Sequence, residues 1–561
     1  MRNPFESVNL DSEYKLKNYF VKNKSFIEPQ SITVGEREDY KKAKGKNDGP
    51  PVQKKIPVQI EFVPLREILK KFFEIPNVFK NTMDYIASIE KNEIIITNFV
   101  QGNFWRNLKS TFDPTKIILP LFVYNDDYET NDPLGSRAGF NKNSAVYASI
   151  PCLPLIYQSK LENIFLFSLF NSLDRKLVGD RAVFRIPINE LEFLEEHGIH
   201  ININDSEQDI FFRFVLLLGD NLGLNAILGF VQSFSANFYC RICLMNKRET
   251  GRTFDEDFCT LRNVENYNEG IEQNDVSKTG IVKPWVFHNS KLSSFHVTKN
   301  IIVDAMHDLL ERILKYDLAM LLAYYIDVQK YFSLSQLNER LNAFDYDDNN
   351  KKSRPPEITL AHLTQKFLHM SASEMFCFFR ILPLLIADFV PEGDEHWELV
   401  TLLKLIAEIV FSKKIHKNIP SLLKSTIKEY LSLVSKLFGE KYLKPKHHFL
   451  VHYPRCLEEM GPLGNISSMR YEAKHSQGKT VAKVSRNRVN IARTIALKES
   501  YTLNFRILNT PSLSEIISGP EITDASNDLS LPYDEKLSST QWIEYLGSKI
   551  NCRTILVAPI E

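Results

Sequence analysis

Hydrophobic and polar positions change their pattern several times along the chain, and each change predicts a different kind of element. Apolar runs of strand length, closed by acidic or turn residues, occur at 117–127 ("IILPLFVYNDD"), 143–150 ("NSAVYASI") and 209–220 ("DIFFRFVLLLGD"). Such runs predict strands of one sheet, and the first two could form a hairpin. The small and apolar residues that follow the third run ("NLGLNAILGF") predict a helix packed against that sheet.

The region between about Val303 and Leu437 has a helical pattern instead. Apolar residues recur at three-and-four spacing in segments such as "WELVTLLKLIAEIVF" and "LLKSTIKEYLSLVSKLF". Beyond it, a Gly/Pro/Ser turn leads into a predicted helix that carries Glu472. The charged, Gly/Pro-bearing segment Glu36–Lys55 predicts a solvated linker behind a short N-terminal arm, and the residues after about Leu508 predict a peripheral tail.

Composition limits the class of protein. A chain of 561 residues exceeds what one core usually serves, so two or three lobes are expected. Lys plus Arg and Asp plus Glu both number 69, so a nucleic-acid partner would have to meet a local basic surface. Seven scattered Cys predict a reducing compartment rather than a disulfide framework. The most apolar window, Phe376–Val390, is shorter than the roughly 20 residues of a membrane span, so no membrane partner is expected.

Carboxylates follow two of the predicted strands and lie on the late helix. Asp126 or Asp127 closes the first run, Asp220 closes the third, and Glu472 comes 252 residues later. Carboxylates at the ends of adjacent strands converge at one sheet edge, and three of them can hold two divalent cations about 3.5–4 Å apart. With 69 acidic residues in the chain, solvated loop carboxylates are the alternative interpretation.

A second candidate metal site begins at "CRIC", where Cys240 and Cys243 have the two-residue gap that lets both sulfurs reach one zinc. The remaining ligands could come from His296, from His307 or from the segment 446–452 ("KHHFLVH"). Two buried thiols without a metal, and a satisfied buried imidazole for any single histidine, are the alternatives.

In combination, these segments resemble a known family. The order "NDDYE", "GDNLGLNAILGF", "CRIC", "DAMHDLLE", "KPKHHFLVHYP", "GPL" and "MRYEAKH" resembles the transposase core of CACTA (En/Spm) elements and their Mirage and Chapaev relatives, in particular the transposon-derived versions in animal genomes. The resemblance covers roughly residues 63–508. It implies an α/β fold in which an RNase H-like catalytic core is interrupted by a large, mainly helical insertion domain.

The resemblance also implies roles for individual residues. Asp126, with Asp127 as its rival, Asp220 and Glu472 would be the catalytic acids of a DDE transposase and would bind two Mg²⁺ or Mn²⁺ ions. Cys240 and Cys243 would hold a structural Zn²⁺, and His307 and His452 would be core or zinc-supporting positions. His296 and His307 are the histidines taken as candidate metal ligands. The domains would be an N-terminal arm and linker (1–56), an N-terminal helical segment (57–116), the first part of the core (117–239), a zinc-associated insertion (240–440), the last part of the core (441–508) and a C-terminal tail (509–561).

A transposase must also hold DNA, and the local charge near Glu472 agrees with that requirement. Between Lys436 and Ser500 the chain has thirteen Lys/Arg and five Glu. This stretch flanks the proposed catalytic Glu, where phosphates would lie. The alternative is a solvated helix face. The candidate DNA-binding residues are Lys474, Lys479, Lys483, Arg486, Arg488 and Arg493.

Three hypotheses follow from the sequence. The first is a metal-dependent transposase, or its catalytic core, which cleaves and joins strands at terminal inverted repeats, acts in the nucleus and forms a homo-oligomer on DNA. The second is a catalytically inactive, domesticated derivative that binds DNA or chromatin. The third is an unrelated helical scaffold whose acidic triad is accidental. The first two share one architecture and differ only at the site.

Overall fold

The protein is described by a computed structural model over residues 12–41, 52–131, 142–158, 160–203, 206–347, 350–485 and 489–509, together with the backbone of four strands beyond residue 516. These residues form a mixed α/β structure in which a curled seven-stranded mixed sheet is combined with a large helical region toward the C-terminus. The strands are β1 (Gln30–Lys41), β2 (Val52–Phe62), β3 (Ile95–Ile96), β4 (Ile117–Glu129), β5 (Lys142–Ser149), β6 (Phe165–Asn171), β7 (Ile199–Ile203), β8 (Ser206–Leu218) and β9 (Ile415–His416).

The large sheet has the order β1-β2-β6-β5-β4-β8-β7. Strand β4 lies near its middle and pairs antiparallel with β5, as the sequence predicts, with Phe122 opposite Ser149. On its other side β4 pairs parallel with β8, with Tyr124 opposite Leu218. Apolar residues fill the central part of β4 and the last five positions of β8 because helices cover the sheet there, and strands buried in this way have continuous apolar runs.

Helices surround the sheet and make up most of the second half of the chain. They are α1 (Glu13–Lys22), α2 (Leu65–Phe73), α3 (Val78–Glu90), α4 (Asn103–Lys109), α5 (Leu155–Gln158), α6 (Ser172–Val178), α7 (Asp180–Glu196), α8 (Asn221–Leu228), α9 (Lys247–Thr250), α10 (Val264–Gln273), α11 (Val276–Thr279), α12 (Leu314–Ala323), α13 (Leu334–Ala343), α14 (Leu360–Gln365), α15 (Ala372–Ile386), α16 (Glu395–Phe411), α17 (Ile419–Phe438), α18 (Pro445–Leu450), α19 (Tyr453–Met460), α20 (Met469–Val484) and α21 (Ile491–Asn509). None of the helices in the described ranges is long and apolar enough to span a bilayer.

After the helical region the chain returns to the sheet. Helix α20 packs on β4, where the rings of Tyr124 and Tyr471 stack with centroids 4.4 Å apart and planes 8° from parallel. The Tyr471 hydroxyl also lies 2.6 Å from Ser149 Oγ on β5. Helix α21 then packs against β6 and β2. A segment remote in sequence is thereby fixed against the strands that carry Asp126.

Two features differ from the sequence-based description. The ends of the expected linker Glu36–Lys55 belong to β1 and β2, which pair antiparallel from Gln30 opposite Phe62 to Lys41 opposite Val52. The charged side chains of a two-stranded ribbon can point to water while its backbone groups pair, so the polar composition did not reveal the strands. In the expected tail, β10 (Ile517–Ser518), β11 (Glu521–Asp524), β12 (Ser538–Tyr545) and β13 (Ser548–Val557) form a separate four-stranded sheet.

Candidate active site and metal centre

The first two candidate carboxylates come from the parallel strand pair. Asp126 and Asp127 lie inside β4 rather than after it, because pairing with β5 continues to Glu129. Asp220 follows the end of β8 and caps α8, its Oδ1 accepting from the backbone N–H of Gly223. Tyr124 and Leu218 face each other in the parallel register, and each lies two residues before one of the Asp residues. Adjacent strands are about 4.8 Å apart, so the register brings Asp126 and Asp220 to the same edge.

Strand alternation separates Asp126 from Asp127. Tyr124 and Tyr128 share a face of β4 with Asp126, and both rings stack on residues of α20. Asn125 shares the other face with Asp127 and accepts a hydrogen bond from Arg175 Nη1 at 3.2 Å. Asp126 is therefore on the face that meets the helix of Glu472, and Asp127 is on the opposite one.

Burial and neighbouring negative charges both act on Asp126. Burial is the main cause that raises the pKa of Asp126 to about 7, and the negative charges of Asp220 and Glu472 raise it further. The pKa of Tyr124 is also raised, chiefly by burial and then by the charges of Asp126 and Glu472. Such like-charge crowding is the condition in which a bound cation stabilises a carboxylate cluster.

His307 holds Glu472 from the side of the helical region. Its Nε2 lies 3.2 Å from Glu472 Oε1, and its Nδ1 makes a short hydrogen bond to Asp304. Burial disfavours the charged ring, but the hydrogen bonds to Asp304 and Glu472 outweigh it and raise the pKa of His307 to about 11. Ser468, just before α20, donates to Asp304 Oδ1 at 2.8 Å. The Asp304–His307 pair thus binds both Ser468, at the start of α20, and Glu472 within the helix.

The carboxylates of the strand edge open into a cleft of ≈ 490 Å³. Asp126, Asp127 and Asp220 line it, whereas Glu472 does not and acts on Asp126 from α20. Four basic side chains also line this cleft: Lys142, Arg175, Lys176 and Lys283. Three of them pair with acids: Lys142 with Asp127 at 3.6 Å, and both Arg175 and Lys283 with Asp180. Lys176 is exposed and has no acidic partner within the described ranges.

The sequence predicts a basic surface around Glu472, but two of its six candidate residues pair with acids in the structure. Lys474 is buried, with its Nζ 2.6 Å from Gln477 Oε1 and 2.8 Å from Glu499 Oε2, because it joins α20 to α21. Arg493 pairs with Glu28 and Glu61 near the N-terminus. These two cations are therefore engaged with acids of the fold. Lys479 and Lys483 are exposed on α20, and Arg486 and Arg488 lie outside the described residues.

The metal centre is formed by Cys240, Cys243, His448 and His452, which are all buried. Their four donor atoms lie within 4.8 Å of one another, with Cys243 Sγ 3.2 Å from His448 Nε2 and Cys240 Sγ 3.6 Å from His452 Nε2. Two thiolates and two imidazoles at such separations suit the tetrahedral coordination of zinc. This group can therefore hold a structural metal such as zinc. Within the described part of the chain, no other set of three or more His, Cys, Asp or Glu donors, the three carboxylates included, is that close.

A further acid orients the metal centre. Glu256 accepts a hydrogen bond from His452 Nδ1 and pairs with Arg455, whose Nε lies 2.9 Å from Glu256 Oε2. A carboxylate behind a metal-binding histidine fixes the tautomer and the orientation of the ring. Cys259 is near Cys243 but does not belong to the four-residue group.

The histidines of this centre correct the ligand set predicted from the sequence. Neither His296 nor His307 belongs to it. His296 Nδ1 lies 2.8 Å from Thr298 Oγ1, and its half-buried ring packs against Tyr267 and Trp285, so it is a packing residue of the fold. The ligands come from "KHHFLVH", which the sequence left open. The i,i+4 spacing of His448 and His452 is a signal that could have favoured this segment over His296 and His307.

Several residues that shape the site had no signal in the sequence. Lys142, Arg175, Lys176 and Lys283 come from separate segments and meet only because β5, α6 and the loop after α11 converge on the cleft. No protein-family model and no curated protein matches this chain.

Proposed function

We propose that this protein is a DDE-type DNA transposase, or the catalytic core of one, with an RNase H-like core interrupted by a helical insertion. The proposal is supported chiefly by the parallel register that puts Asp126 and Asp220 at one edge, and by the packing of α20, which carries Glu472, on the Asp126 face of β4. The antiparallel strands β6, β5 and β4, followed by β8 parallel to β4, support an RNase H-like core. The intervening helices and the return of α20 to β4 support an insertion between the second and third acids.

In this proposal Asp126, rather than Asp127, is the first catalytic acid, because it faces the helix of Glu472. The three carboxylates would hold two Mg²⁺ or Mn²⁺ ions, and these would supply activation of water or a DNA 3′-hydroxyl and stabilisation of the leaving oxygen at the phosphodiester. The protein supplies the placement of the acids and holds Glu472 through His307. The zinc group is structural and fixes the entry to the insertion.

The composition of the cleft supports a polyanionic substrate. Four basic side chains line the same cleft as Asp126 and Asp220, so a phosphate backbone entering it would meet cations beside the carboxylates. Lys176 has the most freedom to contact phosphate because it has no acidic partner in the described ranges. The proposed partner is DNA at transposon ends, bound by a homo-oligomer in the nucleus.

The test is cleavage of labelled DNA by the purified full chain in Mg²⁺ or Mn²⁺. Wild-type protein is expected to nick or join strands, and Asp220→Asn and Glu472→Gln are expected to lose that activity while still binding DNA. Binding without cleavage in the wild type, unchanged by either substitution, would support the alternative of an inactive DNA- or chromatin-binding derivative. Neither binding nor cleavage would contradict both.

A further inference from the structure

We propose that Arg241, the residue after the first cysteine of the metal centre, is a positioning residue for the carboxylate site. This proposal rests on the proposed function, because it assigns a role to the Asp126, Asp220 and Glu472 site. In this view a buried hydrogen-bond network joins the chain neighbours of the metal ligands to Asn221 and Asp308, which are the chain neighbours of Asp220 and His307. The metal then stabilises the geometry of the acids as well as the entry to the helical region.

Arg241 projects from the cysteine loop toward the start of α8. It is 4% exposed, its Nη1 donates to Asn221 Oδ1, and its Nη2 donates to the backbone carbonyl of Ile302 at 2.6 Å. Asn221 directly follows Asp220 and is itself 2% exposed. The cysteine loop is therefore one side chain away from the residue that follows the second carboxylate.

The other two metal ligands are connected to the same network through Asp308. Lys446, two residues before His448, lies 2.6 Å from Asp308 Oδ1. The hydroxyl of Tyr453, which follows His452, donates to Asp308 Oδ2 at 3.1 Å. Asn221 Nδ2 donates to Asp308 Oδ1 at 2.8 Å, which closes the connection. Every segment that supplies a metal ligand thus also supplies a group that binds Asn221 or Asp308.

Asp308 is the chain neighbour of the histidine that binds Glu472. It is fully buried and directly follows His307, whose Nε2 lies 3.2 Å from Glu472 Oε1. The network therefore ends on Asn221 and Asp308, and the backbone joins these residues directly to Asp220 and to His307, which binds Glu472. A buried charged or polar group left without its partner is costly, so the members of such a network hold one arrangement together.

The test measures Mn²⁺ affinity of the full-length, zinc-loaded protein, by electron paramagnetic resonance of free Mn²⁺ during a titration. Arg241→Met, which removes both hydrogen bonds, is expected to weaken Mn²⁺ binding about tenfold or more. Arg241→Lys, which can still donate to Asn221, is expected to recover part of that affinity. Co²⁺ in place of zinc should give the same thiolate absorption in Arg241→Met as in the wild type, because the ligands are unchanged.

Arg262→Met is the matched control. Arg262 is 3% exposed and binds the same loop, with Nε 3.1 Å from the Cys240 carbonyl and Nη2 2.8 Å from the Thr279 carbonyl, and these contacts do not include Asn221. Its loss is expected to change Mn²⁺ affinity less than about threefold. Equal loss in both variants, unchanged affinity in Arg241→Met, or an altered Co²⁺ spectrum in Arg241→Met would overturn the proposal.

Two further outcomes of this experiment, a variant that does not fold and a wild-type protein that cuts no DNA, are also informative. If Arg241→Met does not fold, Asn221→Ala breaks the same connection from the other side and is judged by the same loss of Mn²⁺ affinity. A wild-type protein that binds Mn²⁺ but cuts no DNA would overturn the proposed function alone, since the role of Arg241 is measured by affinity. A wild-type protein that binds no Mn²⁺ would overturn both.

Discussion

At the scale of single residues, the proposed metal site depends on which of two adjacent acids faces Glu472. Asp126 shares its face of β4 with Tyr124 and Tyr128, which stack on α20, whereas Asp127 shares its face with Asn125. Asp126→Asn should therefore lower metal-dependent cleavage by about 100-fold or more, because it removes a metal ligand. The same change at Asp127 should cost less than about tenfold. Cleavage rates of the two variants, measured side by side, check the assignment, and equal losses would contradict it.

His475 gives a second prediction at this scale. It is buried against Tyr128, with ring centroids 4.6 Å apart, and burial is the main cause that lowers its pKa to about 3. Its folded pKa is below the ordinary value of 6.5, so the unfolded chain binds the proton more readily between about pH 6.5 and 3. Stability from this group is complete above pH 6.5 and is lost as the pH falls through that window.

His475→Phe should therefore make the protein less sensitive to acid. Because the buried His475 ring stays neutral, the free energy of unfolding is about 2 kcal/mol lower at pH 5 than at pH 7. A phenyl ring does not titrate and removes this difference. The decrease in Tm between pH 7 and pH 5, measured by differential scanning calorimetry, should be smaller in the variant. An equal decrease in both proteins would show that the folded chain accommodates the imidazolium.

At the scale of elements, helix α20 matters because it brings Glu472 to β4. Gly478 lies where α20 crosses Tyr128, and a Cβ there would come within 2.5 Å of the Tyr128 hydroxyl and 3.0 Å of the ring. Gly to Ala inside a helix normally stabilises by roughly 0.5–1 kcal/mol. Gly478→Ala should instead lower the Tm and reduce cleavage, because overpacking here typically costs about 1–3 kcal/mol.

Ser476→Ala is the matched control for that change, since Ser476 is exposed on the same helix. Its Tm should equal or exceed that of the wild type. Removing the phenolic oxygen should partly restore stability, so Gly478→Ala combined with Tyr128→Phe should melt above Gly478→Ala alone. A Gly478→Ala protein with raised Tm would show that α20 is not held closely against β4.

The same elements show how far the sequence could predict the fold. The strands that carry Asp126 and Asp220 were predicted because their apolar runs are local and continuous. The partners of Lys474 and Arg493 were not, because Glu499 lies on another helix and Glu28 and Glu61 lie more than 400 residues away. Local charge can reveal a basic segment, but only packing decides which cations remain available for a ligand.

At the scale of the whole molecule, the metal centre joins segments that are 205 and 212 residues apart in sequence. A spacing rule can suggest a Cys pair but cannot choose among distant histidines, which is why His448 and His452 were left open. The purified protein should contain one zinc per chain by elemental analysis. Cys240→Ser and His452→Asn should lose it and melt at least about 5 °C lower.

Cys259→Ser is the control for that experiment, because Cys259 is near Cys243 but outside the four-residue group. It should keep its zinc and most of its Tm. Loss of zinc in Cys259→Ser, with retention in Cys240→Ser, would assign the site to different ligands.

Anomalous diffraction from crystals soaked in Mn²⁺ tests whether Asp126, Asp220 and Glu472 form one metal site. Two Mn²⁺ peaks are expected about 3.5–4 Å apart, in contact with Asp126 and Asp220 and with at least one peak in contact with Glu472. Peaks elsewhere in the molecule, or a carboxylate cluster that stays free of Mn²⁺ at saturating concentration, would contradict it.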